Sequence, residues 1–436
     1  MDWMFSGNYF KIFFDNRMQY SMMMSLADKF FSYEIKKWNN ELKTFEYITI
    51  RRYWFDPEQN SFTTYRGLAV RAKKILEKIG YTIKPVFWEL APDWAEAWFL
   101  RKYQFEALRE IIKQIQLQGA STLQCATGGG KTEVAVALHK VLKPKKTFFL
   151  SLNTDLLIQA RDRFRKYGVD AGLVNKDYFE IDREVVCCTV QTLYRAIRTY
   201  ETYTYEGGEE VNEEVKHLLE ETNVKDKLKL YETYRKAELI ILDECQHVPA
   251  RTVWYTSMSN PNALRLALSA TPWREAWGLT LRPPHDGRDL DIYACYGDII
   301  PRRITSSELI EQGYLVPVKI YFAHYFPPYA KEFEGRRGSA WLYNKVKKAV
   351  FSDPVRNRKI AELATKVPKP FMILVKEITH GEKIAQECRR LGLKVAFLYG
   401  EVDPDIRARI FNMVRRAQID GIVCTTLADR ATPAPA

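Results

Sequence analysis

The sequence predicts an α/β protein: two successive units of parallel sheet with helices on both faces, the second incomplete, behind a small α+β domain. Three observations lead there. From about residue 100, apolar strand-like runs alternate with amphipathic helical ones, the pattern of strand–helix–strand crossovers rather than of hairpins. A glycine-rich turn at residues 125–131 joins one such strand to one such helix. A second alternating run starts near residue 356, whereas residues 1–95 are dense in aromatics and alternate with a period of two.

In residues 1–95 the aromatics include Phe10, Phe13, Phe14, Phe30, Phe31, Trp38, Tyr53, Trp54 and Phe55. Residues 45–55 read as strand, and a helix is expected over 68–79, closed by Gly80. Arg51, Arg52, Arg66, Arg71, Lys73 and Lys74 interleave with Tyr53, Trp54 and Tyr65. That mix suits phosphate contacts and base stacking, and it equally suits a small aromatic core with a solvated surface.

Residues 96–315 form the first parallel-sheet unit. Helices are expected over 103–117, from 131 onward and over 154–164; strands over 123–125, 147–152, 184–190, 238–242 and 263–269. A charged segment, 201–236, interrupts the pattern and reads as a solvated helical insertion. Residues 316–355 are a connector with Phe-Pro-Pro and a basic, glycine-bearing stretch. Residues 356–436 then give strand 371–375, helix 381–391, strand 395–398, helix 403–415 and strand 421–424 before Ala-Thr-Pro-Ala-Pro-Ala, which cannot finish a sheet.

Length and charge bound the function. A chain of 436 residues makes two to three domains with ample core. Its net charge is +12, and residues 201–222 alone carry eight Glu against one Lys, which leaves +19 on the remainder. Such an excess suits a polyanion, nucleic acid before anionic membrane. Seven scattered cysteines with no CxxC pair read as buried, reduced thiols, neither a disulfide framework nor a zinc site. With no leader-like start and no membrane-length apolar run, the expected location is cytoplasmic, or the host cytoplasm if phage-encoded.

The turn carries the first chemistry. Thr127, Gly128, Gly129, Gly130, Lys131 and Thr132 form a P-loop: side-chain-free residues let backbone N–H groups close on phosphates, and Lys131 supplies a point charge to the outer ones. The Thr132 hydroxyl is placed to ligate Mg²⁺, and the helix start adds its positive dipole end. The first glycine of the general pattern is here Cys125. The second half of a triphosphate site is an apolar strand ending in acids, and it follows as Leu-Ile-Ile-Leu-Asp243-Glu244. Asp243 would hold Mg²⁺ through water; Glu244 would take the proton of the attacking water. The implied cofactors are ATP and Mg²⁺.

Asp-Glu-Cys-Gln-His-Val-Pro-Ala at 243–250 and Ser-Ala-Thr-Pro-Trp-Arg-Glu at 269–275 resemble the superfamily 2 helicases, most of all the branch containing XPB and the phage helicase UvsW. The resemblance runs over about 100–430 and implies tandem RecA-like P-loop lobes. It implies that Gln104, in Leu-Arg-Lys-Tyr-Gln, contacts adenine; that Asn153, Thr154 and Gln159 (motif Ia) and Gln191 and Thr192 (motif Ib) contact a strand; and that Lys376 (motif IV) and Thr425 and Thr426 (motif V) do so from the second lobe. Ser269, Ala270 and Thr271 would couple hydrolysis to movement, partnered by Gln246, where the family's DExH box has histidine. His247 is assigned no catalysis. The segment 61–67 and its helix loosely resemble the small domain before the motor in UvsW-like proteins.

Motif VI, the family's arginine-finger segment, should follow motif V, and this chain ends first. The expectation is therefore a DNA helicase or translocase, read as truncated in its second lobe, with DNA ahead of RNA, as a single strand or branched duplex. Two alternatives stay open: a motor subunit of a restriction or defence assembly with a nuclease partner, and an ATP- and nucleic-acid-binding module without turnover. The protein is expected to be monomeric and to need no membrane.

Overall fold

The computed structural model describes residues 2–39, 44–78, 80–81, 88–205, 224–273, 287–333 and 340–425. The chain divides into two compact units, Met1–Pro317 and Val318–Ala436.

The first unit opens with β1 (Asp2–Ser6), β2 (Tyr9–Phe13), α1 (Arg17–Phe31), β3 (Ser32–Asn39), β4 (Thr44–Arg51), β5 (Tyr53–Asp56), β6 (Ser61–Tyr65) and α2 (Ala69–Lys78). Four of these strands make an antiparallel sheet ordered β1-β2-β6-β5, and β3 and β4 pair as a separate ribbon. The single strand expected over 45–55 is thus two, broken at Arg52, whose N–H donates to the Phe31 carbonyl instead of to a ladder partner. The aromatics do fill a core: Phe10 and Phe62 on the sheet and Phe31 at the end of α1 are fully buried together.

The expected boundary at residue 95 is not a boundary between compact units. The reason is a polar joint. Arg66 is buried and donates to the carbonyls of Pro261 and Ala263 at 3.0 and 2.7 Å. Arg265, fully buried beside it, donates to the carbonyls of Asn260 and Cys295 and reaches Asn8 Oδ1. Burial, then the charge of Arg265, holds the Arg66 guanidinium well below its usual range. Carbonyl oxygens, not carboxylates, accept from the terminal nitrogens of both groups, while the Nε of each is buried without a partner among the described residues. Arg265→Met leaves those acceptors without donors and is expected to destabilise this unit by about 3 kcal/mol, read from the shift of its denaturant midpoint.

The other arginines of this region pair with carboxylates, which supports the second of the two readings left open for them. Arg51 pairs with Asp28 at 2.8 Å. Arg52 pairs with Asp291 at 2.7 Å and lies over the Trp254 ring. Arg71 pairs with Asp298.

The remainder of the unit is a six-stranded parallel sheet with strands β7 (Ala120–Gln124), β8 (Thr147–Ser151), β9 (Ala171–Val174), β10 (Val185–Thr189), β11 (Leu239–Asp243) and β12 (Leu264–Ser269), in the order β7-β12-β11-β8-β10-β9. It is covered by α3 (Lys102–Gln118), α4 (Lys131–Leu142) and α5 (Thr154–Lys166) on one side. On the other lie α6 (Val190–Tyr205), α7 (Val224–Arg235), α8 (Arg251–Met258) and α9 (Asp289–Tyr296). The strands are near-continuous apolar runs, as burial on both faces demands. Residues 299–304 then run beside β7, bridging Thr122 to Ile299 and Cys125 to Ile304, and α10 (Ser306–Glu311) closes the unit.

Within the insertion, residues 206–223 lie outside the described residues. Its remainder is not merely a solvated face. In α7, Leu230, Tyr231 and Tyr234 are buried against the sheet, and the Tyr234 hydroxyl donates to the Thr256 carbonyl at 2.7 Å.

The second unit holds α11 (Ala340–Ser352), α12 (Pro354–Lys366), β13 (Phe371–Val375), α13 (Ile378–Arg390), β14 (Val395–Leu398), α14 (Pro404–Arg415) and β15 (Gly421–Thr425). Its parallel sheet is ordered β13-β15-β14, with a core that includes Ala361, Ile384, Cys388 and Val423. The expected connector carries a helix, α11, and α13 starts one turn earlier than the sequence suggests because Gly381 lies inside it. A Cβ there would sit 2.3 Å from the Phe397 ring, so the glycine serves close packing, not a helix end. All seven cysteines are buried and free. No helix of the described residues is long and apolar enough to cross a membrane.

Candidate ATP site

Strand direction assembles the site. In a parallel sheet every strand delivers its C-terminal end to one edge. Register places Ser269 beside Gln124, Asp243 beside Leu268, and Thr189 beside Ser151. The P-loop, the acidic pair, the Ser-Ala-Thr segment and both strand-contact candidates therefore lie along one rim.

The loop's conformation explains its composition. Gly128 and Gly130 have φ of +81° and +86°, the left-handed region where side chains are strained. A Cβ on Gly130 would stand 2.0 Å from Gln104 Nε2. Cys125 has no positive φ and hydrogen-bonds as an ordinary strand residue, its N–H donating to the Ser269 carbonyl. Glycine is not required there, which accounts for the departure from the general pattern. Burial pushes the Cys125 thiol up to about 12, so it is inert packing beneath the loop.

Lys131 opens α4, with Gly130 as the residue before the helix. Its ammonium lies 3.5 Å from Glu244 Oε1 and 3.9 Å from Asp243 Oδ1. Burial works against the Lys131 charge, but the two carboxylates outweigh it and the net shift is upward. Asp243 is buried, and that burial raises its carboxyl to about 6 against the pull of Lys131. A divalent cation would supply the positive charge this carboxylate lacks. The donors at hand, one carboxylate and the Thr132 hydroxyl, are oxygen ligands of the kind Mg²⁺ takes alongside water and phosphate. The glycine cradle and these donors fit MgATP.

A hydrogen-bond chain leaves the acids. Gln246 Nε2 donates to Glu244 Oε2 at 2.7 Å, Ser269 Oγ donates to Gln246 Oε1 at 2.6 Å, and the Thr271 N–H donates to Ser269 Oγ at 3.0 Å. Gln246 thus bridges both segments as a neutral group that donates and accepts at once. Glu244 has φ of +56°, a non-glycine residue held left-handed at a reactive position.

Gln104 is buried, with its carbonyl accepting from the Arg101 N–H at 2.9 Å and its amide donating to the Gly129 carbonyl at 3.0 Å. It braces the loop directly. Tyr103 does the same, its hydroxyl donating to Gly129 O at 3.3 Å. Sequence reasoning missed Tyr103 and its neighbours. The Tyr314 ring lies 5.5 Å from the Tyr103 ring and 4.0 Å beneath the Arg101 guanidinium, and a Cβ on Gly128 would lie 2.9 Å from Leu315. Only the adjacency of Tyr103 to Gln104 hinted at this in the sequence.

Of the strand-contact candidates, Asn153 caps α5 by accepting from the Asp155 N–H, and Gln159 is exposed one turn on. Thr189 Oγ1 caps α6, leaving Gln191 exposed and Thr192 half-buried. Lys376 is exposed at the end of β13. Thr425 is buried, its hydroxyl without a partner among the described residues, and Thr426 lies outside them.

Residues 98–274 match the family described as "Type III restriction enzyme, res subunit". A viral protein named "Putative helicase 22", from Sulfolobus islandicus filamentous virus, is 23% identical over 98% of this chain and 71% of its own length. "DNA 3'-5' translocase XPB2" of Sulfurisphaera tokodaii is 24% identical over 55% of this chain, and the match spans 42% of that protein. Among solved structures, T4 UvsW is similar at 18% identity, over 98% of this chain and 81% of that one, with a TM-score of 0.45.

Proposed function

We propose that this chain is a superfamily 2 motor of the XPB-like branch that hydrolyses ATP to move along or unwind DNA, a reading supported by the family match over residues 98–274 and by the viral and archaeal relatives. The observation that carries the reading is the convergence of Lys131, Asp243 and Glu244, with Gln246 tying Glu244 to Ser269.

In this reading the P-loop amides and Lys131 hold the phosphates, and Thr132 and Asp243 would hold Mg²⁺, whose chemistry there would be to offset negative charge on the phosphates. Glu244 orients the attacking water and accepts its proton. When Glu244 changes its bonding as phosphate leaves, Gln246 passes the change to Ser269 and Thr271. Asn153, Thr154, Gln159, Gln191 and Thr192, on the same rim, meet the strand mostly through its phosphates, so binding is sequence-independent and weakens with salt. DNA is favoured over RNA because the archaeal relative is named as acting on DNA.

The test is ATP hydrolysis with and without single-stranded or branched DNA, together with strand displacement. Absence of hydrolysis under every condition would sink the reading. Gln246→Ala removes both hydrogen bonds of the relay. Stimulation by DNA is expected to fall about tenfold or more while hydrolysis without DNA changes less.

The match to a restriction-enzyme subunit favours a second reading, a motor that tracks along duplex without separating it. Hydrolysis stimulated by duplex with no strand released would select it.

A further inference from the structure

Away from the ATP site, α1, α2 and α9 line an open cavity of about 640 Å³ at the joint between residues 1–95 and the parallel sheet. Its apolar lining is Leu26, Phe30, Ile75, Leu290 and Tyr293, of which Ile75 and Leu290 are buried and form its floor. Its rim is cationic. On α2 the lining residues are Arg71, Lys74, Ile75 and Lys78, spaced as one face of a helix, and Lys29 stands across from them at the end of α1.

These cations are not equivalent. Arg71 is consumed: it pairs with Asp298, donates to the Phe30 carbonyl at 3.2 Å, and lies over the Tyr293 ring. Lys73, just off this face, pairs with Glu77 on its own helix. Lys29, Lys74 and Lys78 are exposed at the cavity mouth, and among the described residues no carboxylate pairs with them. The two acids of the lining do not serve them, since Asp298 is taken by Arg71 and Asp289 is buried in the wall. Three like charges around one opening repel one another unless an anion sits between them.

We propose that this cavity binds a nucleoside monophosphate group, its base on the apolar floor and its phosphate among Lys29, Lys74 and Lys78. The volume lies within the range of pockets that take ligands of that size, and a seam between folded parts is a common place for them. Aromatic and apolar walls suit a base, and ammonium groups suit a phosphate as point charges. Such a group has two sources, the terminal nucleotide of a nucleic-acid strand or a free nucleotide. Because the cavity is separate from the P-loop, the inference stands or falls independently of ATP hydrolysis.

The test is binding by the full chain with the P-loop filled by a saturating non-hydrolysable ATP analogue and Mg²⁺. The probes are a fluorescent etheno-AMP and a short oligonucleotide with and without a 5′-phosphate. The double variant Lys74→Glu/Lys78→Glu is expected to weaken binding about tenfold or more, while Lys73→Glu, a single charge reversal on the same helix but off the cavity, leaves it near wild type. Tighter binding of the phosphorylated oligonucleotide than of etheno-AMP identifies a strand end, and the reverse identifies a free nucleotide. Three results would overturn the proposal: no binding by wild type with the P-loop filled, unchanged binding in the double variant, or equal weakening by Lys73→Glu.

Discussion

Replacing Lys131 with alanine is expected to lower ATP hydrolysis by about 10²–10³-fold, the usual cost of removing one preorganised charge from a developing anion. Among the described residues the ammonium is paired with both Asp243 and Glu244, so its loss acts twice. The phosphates lose a counter-charge, and Asp243 loses the group that opposes its burial, which pushes that carboxyl further up and weakens its hold on Mg²⁺. Circular dichroism should show the fold intact, because β11 and α4 are set by the buried faces of Ile240, Ile241, Val134 and Leu138, none of which touches this charge. Wild-type hydrolysis in the variant would remove the site from Lys131 altogether.

The second large effect is Gly130→Ala, one methyl group. At φ of +86° an alanine is strained by about 1–2 kcal/mol, and its Cβ also displaces the Gln104 amide that holds the Gly129 carbonyl. Nucleotide binding, followed with a fluorescent ATP analogue, is expected to weaken by about tenfold or more. The double variant Gly130→Ala/Gln104→Ala removes the collision but not the strain, so it should recover part of the loss. That non-additivity separates the two causes. If the double variant binds no better than Gly130→Ala alone, the collision is not what disables the loop.

Local chemistry was legible in the sequence, and long-range packing was not. The P-loop and the Asp243–Glu244 pair could be read because each spends its chemistry within a few residues of itself. Gln104 was singled out by resemblance as an adenine contact, whereas its bond to the Gly129 carbonyl needs the fold. Tyr314 and Leu315 could not be found, since they reach the loop from nearly two hundred residues further along the chain. β9 escaped because its four residues, with Gly172 among them, are too few to show a period. A Cβ at Gly172 would lie 2.3 Å from the Glu180 carbonyl, a crowding visible only in three dimensions. The interleaved arginines and aromatics of residues 51–74 left two readings open for a physical reason. Arginine satisfied by buried carbonyls or by a distant Asp looks the same in a sequence as arginine awaiting a phosphate.

The carbonyl-lined arginines have a consequence for how this protein can be taken apart. Cutting the chain after residue 95 would take Asn8 from Arg265 and remove Arg66 from the carbonyls of Pro261 and Ala263. It would also uncover the backbone of α9, against which Gly67 packs without room for a side chain. Residues 1–95 pack as part of the first compact unit, Met1–Pro317, and calorimetry of residues 1–317 should register one heat-absorption peak where two separable modules would give two.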